Sequence, residues 1–244
     1  MRFIVTNERG QVIVLRDQRN RNAVGVWLLE NGIDGWFGTP APREDPIGRL
    51  LTDGDLMPHT LTQGSRTVTL HGLGVFESTI EAGAFVDKVN AMVGSRLSVM
   101  CEDAQGRRTA TGYLTDDPEP ELDPSEQAVE FTFVITCPDP KKYGRETVYE
   151  PSGGWCKVVN EGNAGTYPVV HVEGPVTFLH LELGDQGITW NGSAETLDLD
   201  FADMQPSSGA IVLDNAFEIP PGQSNIAVSC DGTATTVTVK SAWR

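Results

Sequence analysis

The residues of this chain that could do chemistry do not assemble into a complete catalytic motif. The strongest candidate is GLGVFE, Gly72 to Glu77, which begins like a dinucleotide-binding fingerprint between a strand and a helix. Its third glycine position holds Glu77, whose charge would oppose a pyrophosphate, and no βαβ alternation follows. The sequence contains no G-x-S-x-G, Walker or H-E-x-x-H motif. We therefore expect no enzyme activity, no cofactor, and no catalytic or metal-binding residues.

Three weaker alternatives remain open in the residues themselves. A carboxylate pair for glycoside hydrolysis depends on a separation that only the fold fixes, and nothing singles out a pair. The acidic, proline-rich segment TDDPEPELDPSEQ, residues 115–127, favours a solvated hairpin tip, with a cation site as the alternative. The four histidines have no second ligand-type residue at metal spacing, which favours surface histidines: His59, His71, His171 and His180.

Charge and cysteine spacing exclude further classes of protein. The 18 Lys and Arg against 34 Asp and Glu give a net charge of -16, which repels nucleic acid and anionic lipid. The four cysteines form no C-x-x-C motif. Cys101, Cys137 and Cys230 each continue an inward-facing alternation, so we predict that they are core thiols. Charges interrupt the N-terminus, and no apolar run approaches the ~20 residues of a membrane span, so we expect a chain made in the cytoplasm without a span.

Apolar residues recur with a period of two along most of the chain, which predicts half-buried β-strands. One segment differs: Ile80 to Gly94 has apolar residues at helical spacing, with Ser78 or Thr79 as the cap and Gly94 as the stop. In the last third, Phe178 and Trp190 fall on the predicted outer face of the strands. Outward aromatics either stack on sugar rings or pack against another subunit, and packing is the favoured interpretation.

A change in composition predicts two domains. The strand that ends at Cys137 runs into PDPKKYG and a polar, glycine-containing segment up to Gly154, which we interpret as the interdomain linker. The predicted linker residues are Pro138, Asp139, Pro140, Tyr143 and Gly144. The domains are then residues 1–150 and 151–244. Short strands separated by turns, among them Asn191-Gly192, suggest an antiparallel sandwich in the second domain.

Seven short motifs occur along the whole chain in a fixed order: NGIDGW, DGDLMP, GSRTVTLHG, the helix, CPDPKKYG, VVNEGNAGTYPVVHVEGP and TTVTVKSAWR. In that order they resemble the distal tail protein (Dit) family of long-tailed siphophages, also known as siphovirus-type minor tail components. Each motif by itself is a glycine-rich turn or the start of a strand, and the order gives the resemblance its specificity.

The resemblance implies a mainly β protein with two parts. Residues 1–150 would form a split-barrel domain with one helix that assembles into a homohexameric ring, and residues 151–244 a galectin-like β-sandwich outside the ring. The expected location is the distal end of the tail in the virion. The implied partners are the major tail tube protein, the tape measure protein, and hub, tail-associated lysin or fibre proteins, with DNA passing through the ring without specific binding. The alternative function is a lectin-like, carbohydrate-binding module for host attachment.

Overall fold

The computed structural model describes residues 1–17 and 23–244. The chain divides into two compact units, Met1–Lys142 together with Arg244, and Tyr143–Trp243. The prediction of a mainly β protein is confirmed, since 59% of the described residues lie in strands. The assignment of the first part to a ring and of the second to a galectin-like sandwich stays a prediction.

The first unit contains a barrel, one helix and several short strands. Its elements in the described residues are β1 (Arg2–Asn7), β2 (Val12–Arg16), β3 (Gly25–Asp34), β4 (Ile47–Gly48), β5 (Asp55–Leu56), β6 (Arg66–Val75), α1 (Thr79–Asn90), β7 (Leu97–Asp103), β8 (Gly106–Leu114), β9 (Glu121–Leu122) and β10 (Ala128–Cys137).

Seven of these strands close into a barrel in the order β8-β7-β1-β2-β3-β6-β10. The closing pair joins β10 to β8, with Ile135 opposite Leu114 and Thr136 opposite Tyr113. The strands bury alternate residues, as their period of two requires, and Phe3, Phe131 and Phe133 are among the fully buried side chains. The barrel therefore has a continuous apolar core of its own.

Helix α1 follows the predicted cap. The Ser78 hydroxyl accepts a hydrogen bond from the backbone N–H of Glu81 at 3.3 Å, which satisfies one of the first free amides of the helix. Phe85 is buried and packs edge-to-face on Phe131, with ring centroids 5.4 Å apart. The helix ends at Asn90, earlier than predicted, and a turn continues to Gly94, which has a φ of 73°. The predicted helix is confirmed, with its C-terminal end shortened.

The second unit is built from antiparallel strands around a separate core. Its strands are β11 (Lys142–Tyr149), β12 (Trp155–Asn160), β13 (Val169–Leu183), β14 (Gln186–Asp200), β15 (Gln205–Pro206), β16 (Ala210–Asn215), β17 (Gly222–Cys230) and β18 (Ala234–Trp243). Neighbouring strands follow the order β12-β17-β13-β18-β11, and β14 pairs with β13, β15 and β16.

The prediction of only short strands in this unit is wrong. Strands β13 and β14 each contain 15 residues, and Asn191-Gly192 lies within β14 instead of forming a turn. Register shifts between β13 and β14 at Glu173/Val176 and Val176/Phe178 explain the difference. Such bulges bend a strand without ending it, so a long pair can follow a curved surface.

The structure also bears on the predicted core cysteines and on the predicted linker. Cys101 and Cys137 are buried, as expected, whereas Cys230 is only partly buried at the edge of the second core. Pro138 to Pro140 directly follow β10, but Tyr143 and Gly144 lie in strand β11. The later part of the predicted linker is thus a strand. Its assignment as the hinge between two domains stays a prediction.

Candidate assembly surface

The residues between β3 and β6 leave the barrel as a folded-back ribbon, which we call the arm (residues 37–64). Strands β4 and β5 pair near its end, with Ile47 opposite Leu56. Nearer the barrel, the backbone N–H of Arg43 donates to the carbonyl of Thr62 at 2.9 Å, and that of Gly64 donates to the carbonyl of Ala41 at 3.1 Å. The arm is therefore an antiparallel ribbon that carries both of its strands away from the barrel sheet and back.

The arm exposes an unusual number of large apolar side chains. Every residue from 41 to 57 is exposed, and Leu50 and Leu51 are 98% and 97% accessible. The exposed apolar residues of the arm are Phe37, Ile47, Leu50, Leu51, Leu56, Met57 and Leu61. None of them belongs to the core of the barrel.

A two-stranded ribbon without a core is at best marginally stable in water. Exposed apolar side chains that lie close together in one segment are typical of an interaction surface. Proline at positions 40, 42, 46 and 58 removes backbone donors from the ribbon, which limits edge-to-edge pairing with other strands. The arm therefore has the composition of a segment that is covered by another molecule through its side chains.

The root of the arm, by contrast, is fixed in the barrel. Gly35 has a φ of 71°, and a Cβ atom there would lie 1.8 Å from the carbonyl oxygen of Thr67. Only glycine allows this approach of the two ends of the arm. The next residue, Trp36, is 2% exposed and packs edge-to-face on Phe3 at 5.3 Å between ring centroids.

The buried guanidinium of Arg66 joins the two ends of the arm. Arg66 is the first residue of β6 and is 1% exposed. Its Nη1 donates to the carbonyls of Gly35 at 2.6 Å, Gly38 at 2.8 Å and Trp36 at 3.3 Å. Its Nε donates to the carbonyl of Pro140 at 2.8 Å. One side chain thus holds the start of the arm, the end of the arm and the segment after β10 together.

A second buried cation, Lys142, binds the same turn. Its Nζ donates to the carbonyl of Trp36 at 2.7 Å and lies 5.6 Å from the centre of the Trp36 ring. Burial, followed by the charges of Arg66 and Arg108, lowers the pKa of Lys142 to about 8. Burial also lowers the pKa of Arg66. Both cations thus donate hydrogen bonds to backbone carbonyl oxygens. These hydrogen bonds fix the turn from which the arm projects.

The acidic segment 115–127 contains the short strand β9, which pairs with β10, and only its last part, from Asp123 to Gln127, is a tight turn. The Asp123 carboxylate accepts hydrogen bonds from the backbone N–H groups of Gln127 at 3.1 Å and Ala128 at 3.0 Å, and these bonds and Ser125 hold its pKa below the usual value. In residues 1–17 and 23–244, no group of three or more His, Cys, Asp or Glu residues is arranged to hold a metal ion. No helix in these same ranges is long and apolar enough to cross a membrane.

One of the two predicted outer-face aromatics was assigned to the wrong face. Trp190 is fully buried, and its indole N–H donates to the carbonyl of Ser208 at 2.6 Å. It lies opposite Leu179, which is also buried, because the bulges in the β13–β14 pair change the phase of the alternation. Phe178 is 37% exposed, so an outward pair of aromatics that could stack on a sugar is absent at these two positions.

The sequence pattern does not predict the arm, although the motif DGDLMP lies within it. Its apolar residues follow neither the period of a strand nor that of a helix. The available signal was Leu50-Leu51, two adjacent large apolar residues in a segment rich in Gly, Pro and Asp. Such a pair in a turn-rich segment lacks a core to occupy.

Comparison with known proteins identifies the fold. Neither a protein-family model nor a curated protein matches the sequence. Among solved structures, the chain is similar to the Dit protein of phage SPP1, with a TM-score of 0.61 at 13% identity over 99% of both chains. The chain has the fold of a phage distal tail protein. A chain of the phage P2 baseplate in its activated conformation is also similar, with a TM-score of 0.50 at 10% identity, over 98% of this chain and 97% of the other.

The sequence motifs resemble those of Dit proteins, and these structural likenesses confirm that resemblance at the level of the fold. Both extend over nearly the whole of each chain, so both units and their order are included. The SPP1 protein is described as a paradigm of the hub adsorption apparatus in phages that infect Gram-positive bacteria. At such low identity, the position of individual functional residues does not transfer from either protein.

Proposed function

We propose that this chain is a structural protein of the distal end of a phage tail. In this role six copies form a ring that joins the tail tube to the tail tip or baseplate hub and its fibres. The observation that carries the proposal is the likeness to SPP1 Dit over 99% of both chains, with a TM-score of 0.61. A structural role also accounts for a chain whose sequence contains no catalytic motif.

The arm supports the assembly part of the proposal. A ring with rotational symmetry needs head-to-tail contacts, in which one surface of each copy binds a different surface of the next. The arm is an exposed apolar surface whose root is fixed in the barrel, so it is suited to bind a different surface on the next copy. Other partners in this role are the major tail tube protein, the tape measure protein, and hub, tail-associated lysin or fibre proteins.

The net charge of -16 suits a ring through which DNA passes. Affinity for duplex DNA depends on cationic contacts to phosphate, so a channel wall without excess Lys or Arg lets DNA slide. We therefore propose that acidic residues of the first unit face the channel. The galectin-like second part would hang outside the ring.

The proposal is tested by the mass and shape of the assembled chain. The full chain is measured by mass photometry and electron microscopy, alone and with the major tail tube protein of the same phage. We expect rings of six copies at least in the presence of the tube protein. A chain that stays monomeric under both conditions, and that is absent from purified tail tips, would refute the proposed function.

A further inference from the structure

A groove on the first unit forms a second unoccupied apolar surface, and it shares no residue with the arm. Its volume is about 610 Å³, within the range of binding pockets. It is lined by residues from the turn after α1, from β8 and from the two residues after β10, among them Gly94, Ser95, Arg96, Gly112, Tyr113 and Pro138. The exposed ring of Tyr113 forms one side of the groove.

Two of the residues that line the groove are glycines, Gly94 and Gly112, and neither fills it with a side chain. Gly112 lies where β8 and β10 close the barrel, and a Cβ atom there would come within 2.4 Å of the carbonyl oxygen of Thr136. Larger residues are therefore excluded at Gly112 by backbone contact. Because Gly94 lies on the same surface, two of the lining positions contribute only backbone.

A buried hydroxyl in the groove lining lacks a partner. Ser95 is 4% exposed, and within the described part of the chain its Oγ has no hydrogen-bond partner. A buried hydroxyl without a partner is unfavourable and is rare in folded proteins. The Oγ atom is itself inaccessible, so it would gain an acceptor only if the groove lining shifts when a segment docks.

We infer that this groove receives the tip of the arm (residues 49–55) from a neighbouring copy of the chain. The inference rests on the proposed ring and names the surface that accepts the arm. Leu50 and Leu51 are almost fully exposed on the tip, and the groove is an apolar recess elsewhere on the same unit. A head-to-tail ring needs two such different and complementary surfaces on one chain, whereas a two-fold dimer would need one surface that complements itself.

Charges at the two surfaces are complementary. The tip carries Asp53 and Asp55 close to the two leucines, and the groove carries the exposed Arg96. Each surface also carries the opposite charge, Arg49 on the tip and Asp139 on the groove lining, and the Asp139 carboxylate already accepts a hydrogen bond from the backbone N–H of Lys141 at 2.9 Å. Two copies that each carry a net charge of -16 repel one another, so local pairs of opposite charge are needed to orient the contact.

The contact is tested directly by disulfide cross-linking of the full chain. Leu51→Cys and Tyr113→Cys are introduced together, and assembled chain is oxidised with copper phenanthroline. Three native thiols are buried, so the unmodified chain gives a low background. We expect a ladder of covalent multimers up to six copies from the double variant. Each single variant is expected to give no ladder.

A charge exchange gives an independent test with a matched control. Arg96→Glu is expected to weaken association by about tenfold at each interface, because it places like charges together. Combining it with Asp53→Arg and Asp55→Arg is expected to restore most of the loss. Arg9→Glu, at an exposed arginine in the turn between β1 and β2, changes the net charge equally and is expected to have little effect.

The results of these two experiments distinguish failure of this inference from failure of the proposed function. Rings that form normally while giving no cross-link, and that tolerate Arg96→Glu, would overturn the inference and leave the ring intact. A defect of Arg96→Glu confined to binding of the tail tube protein would assign the groove to that partner and also overturn it. A chain that never forms rings would refute the proposed function, and the inference with it.

Discussion

Replacing Leu50 and Leu51 by serine is expected to prevent assembly of the chain while leaving each monomer folded. Both side chains are almost fully exposed, so the folded monomer gains almost nothing from them. Surface substitutions of this kind usually change the free energy of unfolding by less than about 0.5 kcal/mol. The melting temperature of the double variant should therefore match that of the unmodified chain.

The effect on assembly follows from the area that docking would bury. Fully burying a leucine contributes about 1.5–3 kcal/mol, so the two leucines contribute about 3–6 kcal/mol to each interface. Since about 1.4 kcal/mol corresponds to a factor of ten, the dissociation constant should rise about 10²- to 10⁴-fold. Because a ring has an interface between each pair of neighbours, the loss should be visible as a shift from rings to monomers.

Sedimentation velocity over a range of concentrations measures this shift, with Ile80→Ser as the control. Ile80 is 83% exposed on α1, so the control removes an equally accessible apolar side chain outside the arm. We expect the control to assemble normally. Normal assembly of the double leucine variant would show that the arm is not an interface and would refute the reasoning from exposed apolar area.

Three further predictions concern the root of the arm and the thiols. Gly35→Ala should destabilise the first unit by more than about 2 kcal/mol in urea unfolding, because the new Cβ atom would overlap the backbone of Thr67. The control Gly54→Ala places its Cβ atom in open space, so only the positive φ is unfavourable and the cost should be about 1 kcal/mol. Lys142 has a pKa of about 8 in the folded chain against an ordinary value of 10.5, so the unfolded chain binds its proton more tightly. The free energy of unfolding of the unmodified chain, relative to that of Lys142→Met, should therefore rise as the pH increases from 8 to 10.5. A fall over this pH range would contradict the assignment. Burial raises the pKa of three thiols to about 11, so they should react with a thiol reagent only after unfolding: Cys101, Cys137 and Cys156.

Local patterns were sufficient to predict the helix and the strands with a clear alternation of apolar residues. The cap at Ser78 and the apolar spacing up to Val89 are interactions within a few residues, and the structure keeps them. Alternating strands such as β6 and β10 were readable for the same reason, since one face of each is buried in the barrel. The prediction was most reliable where neighbouring residues alone decide the conformation.

The features that the sequence did not reveal depend on contacts between distant residues. The face of Trp190 depends on bulges in its pairing with β13, which no local pattern encodes. The pair Arg66 and Lys142 is separated by 76 positions along the chain and meets only at the turn of Trp36. The exposure of Leu50 depends on the barrel core, which is filled by other residues from distant strands. Assembly surfaces of this kind are found by comparing what the core buries with what it leaves outside.

The measurement that tests the central claim most directly is the mass of the complex that the full chain forms with its tail tube protein. The account predicts rings that contain six copies of the 26.4 kDa chain, located at one end of the tube in electron micrographs. A complex with one copy of the chain for each tube, or binding along the whole length of the tube, would contradict it.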